Sequence, residues 1–196
     1  MMTPERVAQA VTAQRPALTQ AQAEDPASTV FGTVSGQRLA QAIAADTAWT
    51  SFSSVTLTGA GEFDWSSIPA GVTEIDILLN DVRHAGAGVL LVQIGTGITP
   101  VTSGYVGRHQ TAQGGVVTFS DGFGLFRNAS GNINAGVVRL RKYSGNTWVY
   151  DVNNTIANAN GSGSGSITLG GDLGIVRITR AGTGDYNLGS ALLRYR

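Results

Sequence analysis

The chain contains no cysteine, which excludes disulfides and thiolate metal sites and leaves the redox compartment open. Charge is scarce as well. Thirteen basic residues balance thirteen acidic ones, and together they make up only 13% of the sequence. A surface that grips a phosphate backbone is basic on one face, so nucleic acid is not an expected partner. No apolar run reaches the length needed to span a bilayer, and residues 1–14 lack the apolar core of a secretory signal. Membrane insertion is therefore not expected. Aromatic residues are only 7% of the chain, and there are two histidines, His84 and His109. Neither histidine lies in an H-E-x-x-H or triad context, and no G-x-S-x-G or P-loop is present. What the chain does have is 42% hydrophobic residues and 27 glycines among many Thr, Ser, Asn and Val. The apolar content argues against disorder, and the remainder suits an all-β body with many turns.

Two regimes divide the sequence. In 1–48, rich in Ala and Gln, the stretch Thr-Pro-Glu-Arg-Val-Ala-Gln-Ala-Val from Thr3 returns as Ser-Gly-Gln-Arg-Leu-Ala-Gln-Ala-Ile from Ser35. Arg6, Ala8, Gln9 and Ala10 recur unchanged, and Val7/Leu39 and Val11/Ile43 are close swaps. Each copy reads as a short helix with Thr3 or Ser35 at the N-cap, and in the first copy Pro4 takes the first helical position. Its apolar face is one narrow stripe, too small to stabilise so short a helix in water. Other copies of the same chain are expected to supply the missing core. The polar segment 18–33 has no period of its own and fits a thin shaft packed against neighbouring chains.

Trp49 and Phe52 mark the change to 49–196, where the pattern is β throughout. Strands are expected over 54–58, 72–82, 89–95, 105–109, 115–120, 123–127, 135–143, 147–152, 173–180 and 188–196. The turn Ser144-Gly145-Asn146 makes 135–143 and 147–152 a hairpin. The Gly-Ser-Gly-Ser-Gly tract at 161–165 reads as a mobile loop. About ten short strands separated by turns point to a β-sandwich head, jelly-roll-like, on a short helical or extended stalk.

The repeat unit T-P-x-x-V-A-x-A-I, with Leu18-Thr19-Gln20-Ala21-Gln22-Ala23-Glu24 between its copies, resembles the repeats of bacteriophage and prophage tail fibre proteins. The second copy departs from it by carrying Gly36 in place of proline. The body resembles the C-terminal head of such fibres through Phe63-Asp64-Trp65-Ser66-Ser67-Ile68-Pro69, residues 72–78, Val92-Gln93-Ile94-Gly95 and Ser103-Gly104-Tyr105. Asn146-Thr147-Trp148-Val149 and Gly174-Ile175-Val176-Arg177-Ile178-Thr179 continue it. The resemblance implies a homotrimer with its stalk around a threefold axis and its heads at the distal tip. It implies a virion appendage, made in the bacterial cytoplasm without a signal peptide, that contacts a host surface glycan and another virion tail or fibre protein. A purely structural trimeric decoration or connector, and a glycan depolymerase, are the alternative readings.

For glycan binding, the residue types to look for are aromatic faces that cover sugar C–H patches, flanked by amides, hydroxyls and arginines. Tyr105, Phe126, Trp148 and Tyr150 are the candidate aromatics, and Arg108, His109, Gln110, Arg127 and Asn128 the candidate polar partners. Trp148 and Tyr150 lie on an expected strand, where an aromatic residue is more simply core. Glu62 and Asp64 share a face at a spacing compatible with glycosidic acid–base chemistry, but carboxylates two apart on a strand are more simply solvated. The chain is therefore read as a non-enzyme without catalytic residues. Asp151, Asn153 and Asn154 offer too few acidic oxygens for calcium and read as an Asn-rich turn, so no metal or cofactor is expected. Arg139, Arg141 and Lys142, and likewise Arg177 and Arg180, read as the solvent face of strands or as partners in ion pairs between subunits.

Overall fold

In the computed structural model the chain divides into two units, Met1–Ala48 and Trp49–Arg196. The structure describes residues 48–59, 61–85, 88–111, 115–128, 133–156, 159–182 and 184–196. The two expected helices and the shaft between them lie outside the described residues. Within these there is no helix, and fourteen strands run in chain order. They are β1 (Thr50–Ser51), β2 (Val55–Thr56), β3 (Phe63–Ser66), β4 (Glu74–His84), β5 (Gly88–Thr96), β6 (Thr99–Pro100) and β7 (Val106–Thr111). The second seven are β8 (Val116–Phe119), β9 (Phe123–Asn128), β10 (Asn134–Ser144), β11 (Thr147–Ile156), β12 (Ala159–Thr168), β13 (Leu173–Gly182) and β14 (Tyr186–Tyr195).

These strands form two antiparallel sheets. The larger, of nine strands, runs β1-β14-β4-β10-β11-β12-β7-β8, with β2 beside β14. The smaller, of five, runs β3-β13-β5-β6, with β9 beside β5. The sheets pack face to face as sequence alternation requires. Ile75 and Ile77 from β4, Val138 and Leu140 from β10, and Leu193 from β14 meet Leu90, Val92 and Ile94 from β5 and Val176 and Ile178 from β13 in one core. Every one of these is fully buried, and burying each such side chain contributes roughly 1.5–3 kcal/mol. The centre of β5 is buried on both faces, as an apolar run broken only by Gln93 predicts, and Gln93 donates to the Asp121 carbonyl at 2.7 Å. The β10–β11 hairpin closes on Gly145-Asn146, with Ser144 opposite Thr147 and Gly145 in the left-handed region at φ 53°.

Two local expectations are overturned. The tract at 161–165 is the middle of β12, an interior strand paired with β11 on one side and β7 on the other. It alternates with period two: Ser162 and Ser164 are exposed, while Gly161, Gly163 and Gly165 turn inward. The inward positions must be glycine because large neighbours occupy the space. A Cβ on Gly163 would lie 3.0 Å from the His109 ring and 3.1 Å from the Tyr150 hydroxyl, and one on Gly165 2.8 Å from the Tyr150 ring. Glycine serves here to let neighbouring side chains approach closely, not to make a loop. Asn153 and Asn154, expected in a turn, are consecutive residues of β11 and point to opposite faces, one exposed and one buried. They cannot converge on one cation.

Candidate functional site

The outer face of the larger sheet changes character along its width. Over β4 and β14 it carries Leu78 and Leu192, and over β11, β12, β7 and β8 it is mostly polar, with Val106, Val116 and Val149 exposed among the polar side chains. Register places Arg139, Asp151, Ser164, Arg108 and Thr118 in one row across five strands. The next row holds Val137, Asn153, Ser162, Gln110 and Val116. Because β12 presents only serine hydroxyls outward at 162 and 164, longer side chains of β7 and β11 rise on either side of it there. Two strand spacings separate those walls by about 10 Å. The result is a trough along β12 with a volume of about 470 Å³, lined by Arg108, Gln110, Val116, Asp151, Asn153, Ser162 and Ser164. Its lining offers guanidinium, amide, hydroxyl and carboxylate groups in one shallow channel. Asp151 accepts from Arg139 Nη1 at 3.2 Å, an exposed pair.

The aromatic candidates lie beneath this surface. Tyr105 is 3% exposed. Its hydroxyl accepts from the Ile94 amide at 2.8 Å and donates to the Val101 carbonyl at 2.9 Å. Burial pushes its phenol up to about 12, against the opposing pull of the Ile94 hydrogen bond. Trp148 is 1% exposed and belongs to the core. Tyr150 stacks on Phe123 across the two sheets, with ring centroids 4.1 Å apart, and donates to the Gly124 carbonyl at 3.3 Å. Burial also raises its pKa. These three therefore present no ring to a ligand. They are inward residues of alternating strands, whereas the neighbours that point outward make up the trough. Arg127 and Asn128 lie on β9, paired with Val89 and Gly88 in the other sheet; their side chains and that of Phe126 are outside the described part of the structure. The large aromatic that the described surface does expose is Tyr143, near the end of β10, which sequence reasoning passed over.

His109 is the inward residue between Arg108 and Gln110. Its Nε2 lies 3.2 Å from Asn154 Oδ1. The Asn154 amide group donates to the Leu125 carbonyl at 3.0 Å, so its Oδ1 must accept, which assigns the Nε2–H tautomer of a neutral ring. Burial lowers the His109 pKa, and the Asn154 contact opposes that only in part. The sign of the linkage follows. The unfolded ring takes a proton near pH 6.5, and the folded ring does so only at lower pH. Stability from this group is complete above the unfolded value and is lost as pH falls below it. The melting temperature is expected to drop from pH 7.5 to pH 5. In His109→Gln that part of the slope should vanish in a thermal-shift series, and an unchanged slope would assign the loss to other groups.

Glu62 and Asp64 are not free for acid–base work. Arg177, opposite Asp64 in the β13–β3 register, binds both Asp64 oxygens at 2.6 and 2.7 Å and Glu62 at 2.9 Å. The Arg177 guanidinium is held above its ordinary value, chiefly by the Asp64 hydrogen bonds. Arg180 pairs with Asp185 at 3.3 Å. Both arginines thus have partners within their own chain. No protein-family model, curated protein or solved structure matches this chain.

Ser162, Ser164, Asp151, Asn153 and Val116 are the trough residues that the sequence did not single out as glycan partners. The available signal was the strict Gly-Ser alternation, which has the period of a strand.

Proposed function

We propose that the chain is a phage-type tail fibre or tip protein whose head attaches the particle to a host surface polysaccharide by non-covalent binding in the trough along β12. The observation that carries this reading is the trough itself, a channel one strand wide with a hydroxyl floor and amide, guanidinium and carboxylate walls. An extended saccharide presents hydroxyls along its length that can pair with both walls at once. The β-sandwich is in this reading a jelly-roll-like head on a trimeric stalk built from the residue 3 and residue 35 repeats. Three heads on one axis raise the effective concentration of a weak site. The protein is a ligand-binding appendage without cofactor or catalytic residues.

Ser164→Phe fills the trough without touching the core, since Ser164 is exposed and faces away from it. It should weaken retention on whole host-type cells or a glycan array about tenfold, as expected for a sterically blocked pocket, at an unchanged melting temperature. Undiminished binding would remove the trough from the proposal. Light scattering on the intact chain should give a trimer mass, and a monomer would refute the stalk reading. A structural connector is the second reading, favoured by Val106 at the start of β7 and Val116 on the edge strand β8, which are 69% and 59% exposed. It would prevail if particles lacking the head still adsorbed normally.

A further inference from the structure

Among the described residues the cationic side chains of the head follow a consistent pattern with one departure. Arg83, Arg139, Arg141, Lys142, Arg177, Arg180, Arg194 and Arg196 each have a carboxylate within 4.0 Å. Among the described residues Arg108 makes no such pair, and it stands exposed on the β7 wall of the trough. Its cross-strand neighbours on the same face are Ser164 and Thr118, both neutral. The carboxylate on the opposite wall, Asp151, is already engaged by Arg139. The trough therefore carries one uncompensated positive charge in a chain whose formal net charge is zero.

A guanidinium presents two parallel N–H donors that match a carboxylate in fork geometry, and a charge-assisted pair of this kind is about twice as strong as a neutral hydrogen bond. We infer that the saccharide held in the trough is acidic, a polymer of carboxylated sugars, and that Arg108 binds the sugar carboxylate. Ser164 and Gln110 on either side take ring hydroxyls, and Val116 covers an apolar C–H patch. A singly charged carboxylate fits better than a phosphate monoester, whose second negative charge would be brought toward Asp151. The inference rests on the carbohydrate reading above and narrows it to one ligand class.

The test uses the full-length chain immobilised on a biosensor. Polygalacturonate, hyaluronan and polysialic acid are passed over it, each beside its carboxyl-reduced counterpart, which keeps the hydroxyls and loses the charge. At least one acidic polymer should be retained at least tenfold more tightly than its reduced form, and the preference should shrink as sodium chloride is raised from 50 to 300 mM. Arg108→Gln should abolish the preference and Arg108→Lys should restore part of it, with melting temperatures confirming that both variants fold. Equal retention of acidic and reduced polymers overturns the acidic inference and leaves the carbohydrate reading standing. Retention of none of the six overturns both.

Discussion

Gly165→Val is expected to destabilise the head by about 4 kcal/mol, a large share of the roughly 5–15 kcal/mol that holds an ordinary domain folded. Gly165 sits in the interior of β12, opposite Tyr150 on β11 and Gly107 on β7. A Cβ there would run into the Val106 carbonyl oxygen and lie 2.8 Å from both Gly107 Cα and the Tyr150 ring. Two of those three neighbours are backbone in a paired strand, so they cannot yield without breaking the β12–β7 ladder. The third is a ring already stacked on Phe123. Ser164→Val, one residue earlier and exposed on the outer face, places the same side chain where space is open. It should change stability by no more than about 0.5 kcal/mol. Urea denaturation of the two variants reads the contrast directly, and equal midpoints would refute the close-approach account of β12.

The second large effect is expected at Asp76→Asn, about 3 kcal/mol of destabilisation. Asp76 is 3% exposed although it lies on the outer face of β4. Arg141 Nη1 donates to it at 3.2 Å, and Arg194 Nη2 and Nε at 2.9 and 3.2 Å. Trp49 roofs this cluster, with the guanidinium carbons of Arg194, Arg196 and Arg141 at 4.6, 4.9 and 5.9 Å from a ring centroid. Glu74 neutralises Arg196 from 2.6 Å. Loss of the Asp76 charge leaves Arg194 under the indole without its carboxylate, and leaves Arg141 with Glu74 alone, at 3.5 Å. Asp151→Asn breaks a comparable distance in water, and an exposed pair contributes only about 0.5 kcal/mol. Chemical denaturation should separate the two variants clearly. Equal losses would mean that burial adds nothing to the Asp76 pairs.

The strands rich in branched and aromatic residues were legible because alternation and turns are written in side-chain type. β5, the β10–β11 hairpin and β13 were visible in that way. β12 was not, since glycine and serine carry almost no hydropathy contrast, and the reason for its glycines lies on β7 and β11. The same distance in sequence hid the site. Tyr105 and His109 stand in a polar, glycine-flanked stretch that looks exposed, yet alternation turns them inward to pair with Ile94 and Asn154. Only Arg108 and Gln110, the outward residues of that stretch, reach the trough. The pairing of Arg177 with Glu62 and Asp64 crosses more than a hundred residues and has no local signature.

The division of labour within β12 has an evolutionary consequence. Glycines locked against His109 and Tyr150 fix the strand in place, so selection for folding falls on every second position. The serines between them are exposed at 162 and 164 and carry no such constraint. On the proposed attachment role, replacing these serines one at a time would change what the trough holds while the two packed sheets stay the same.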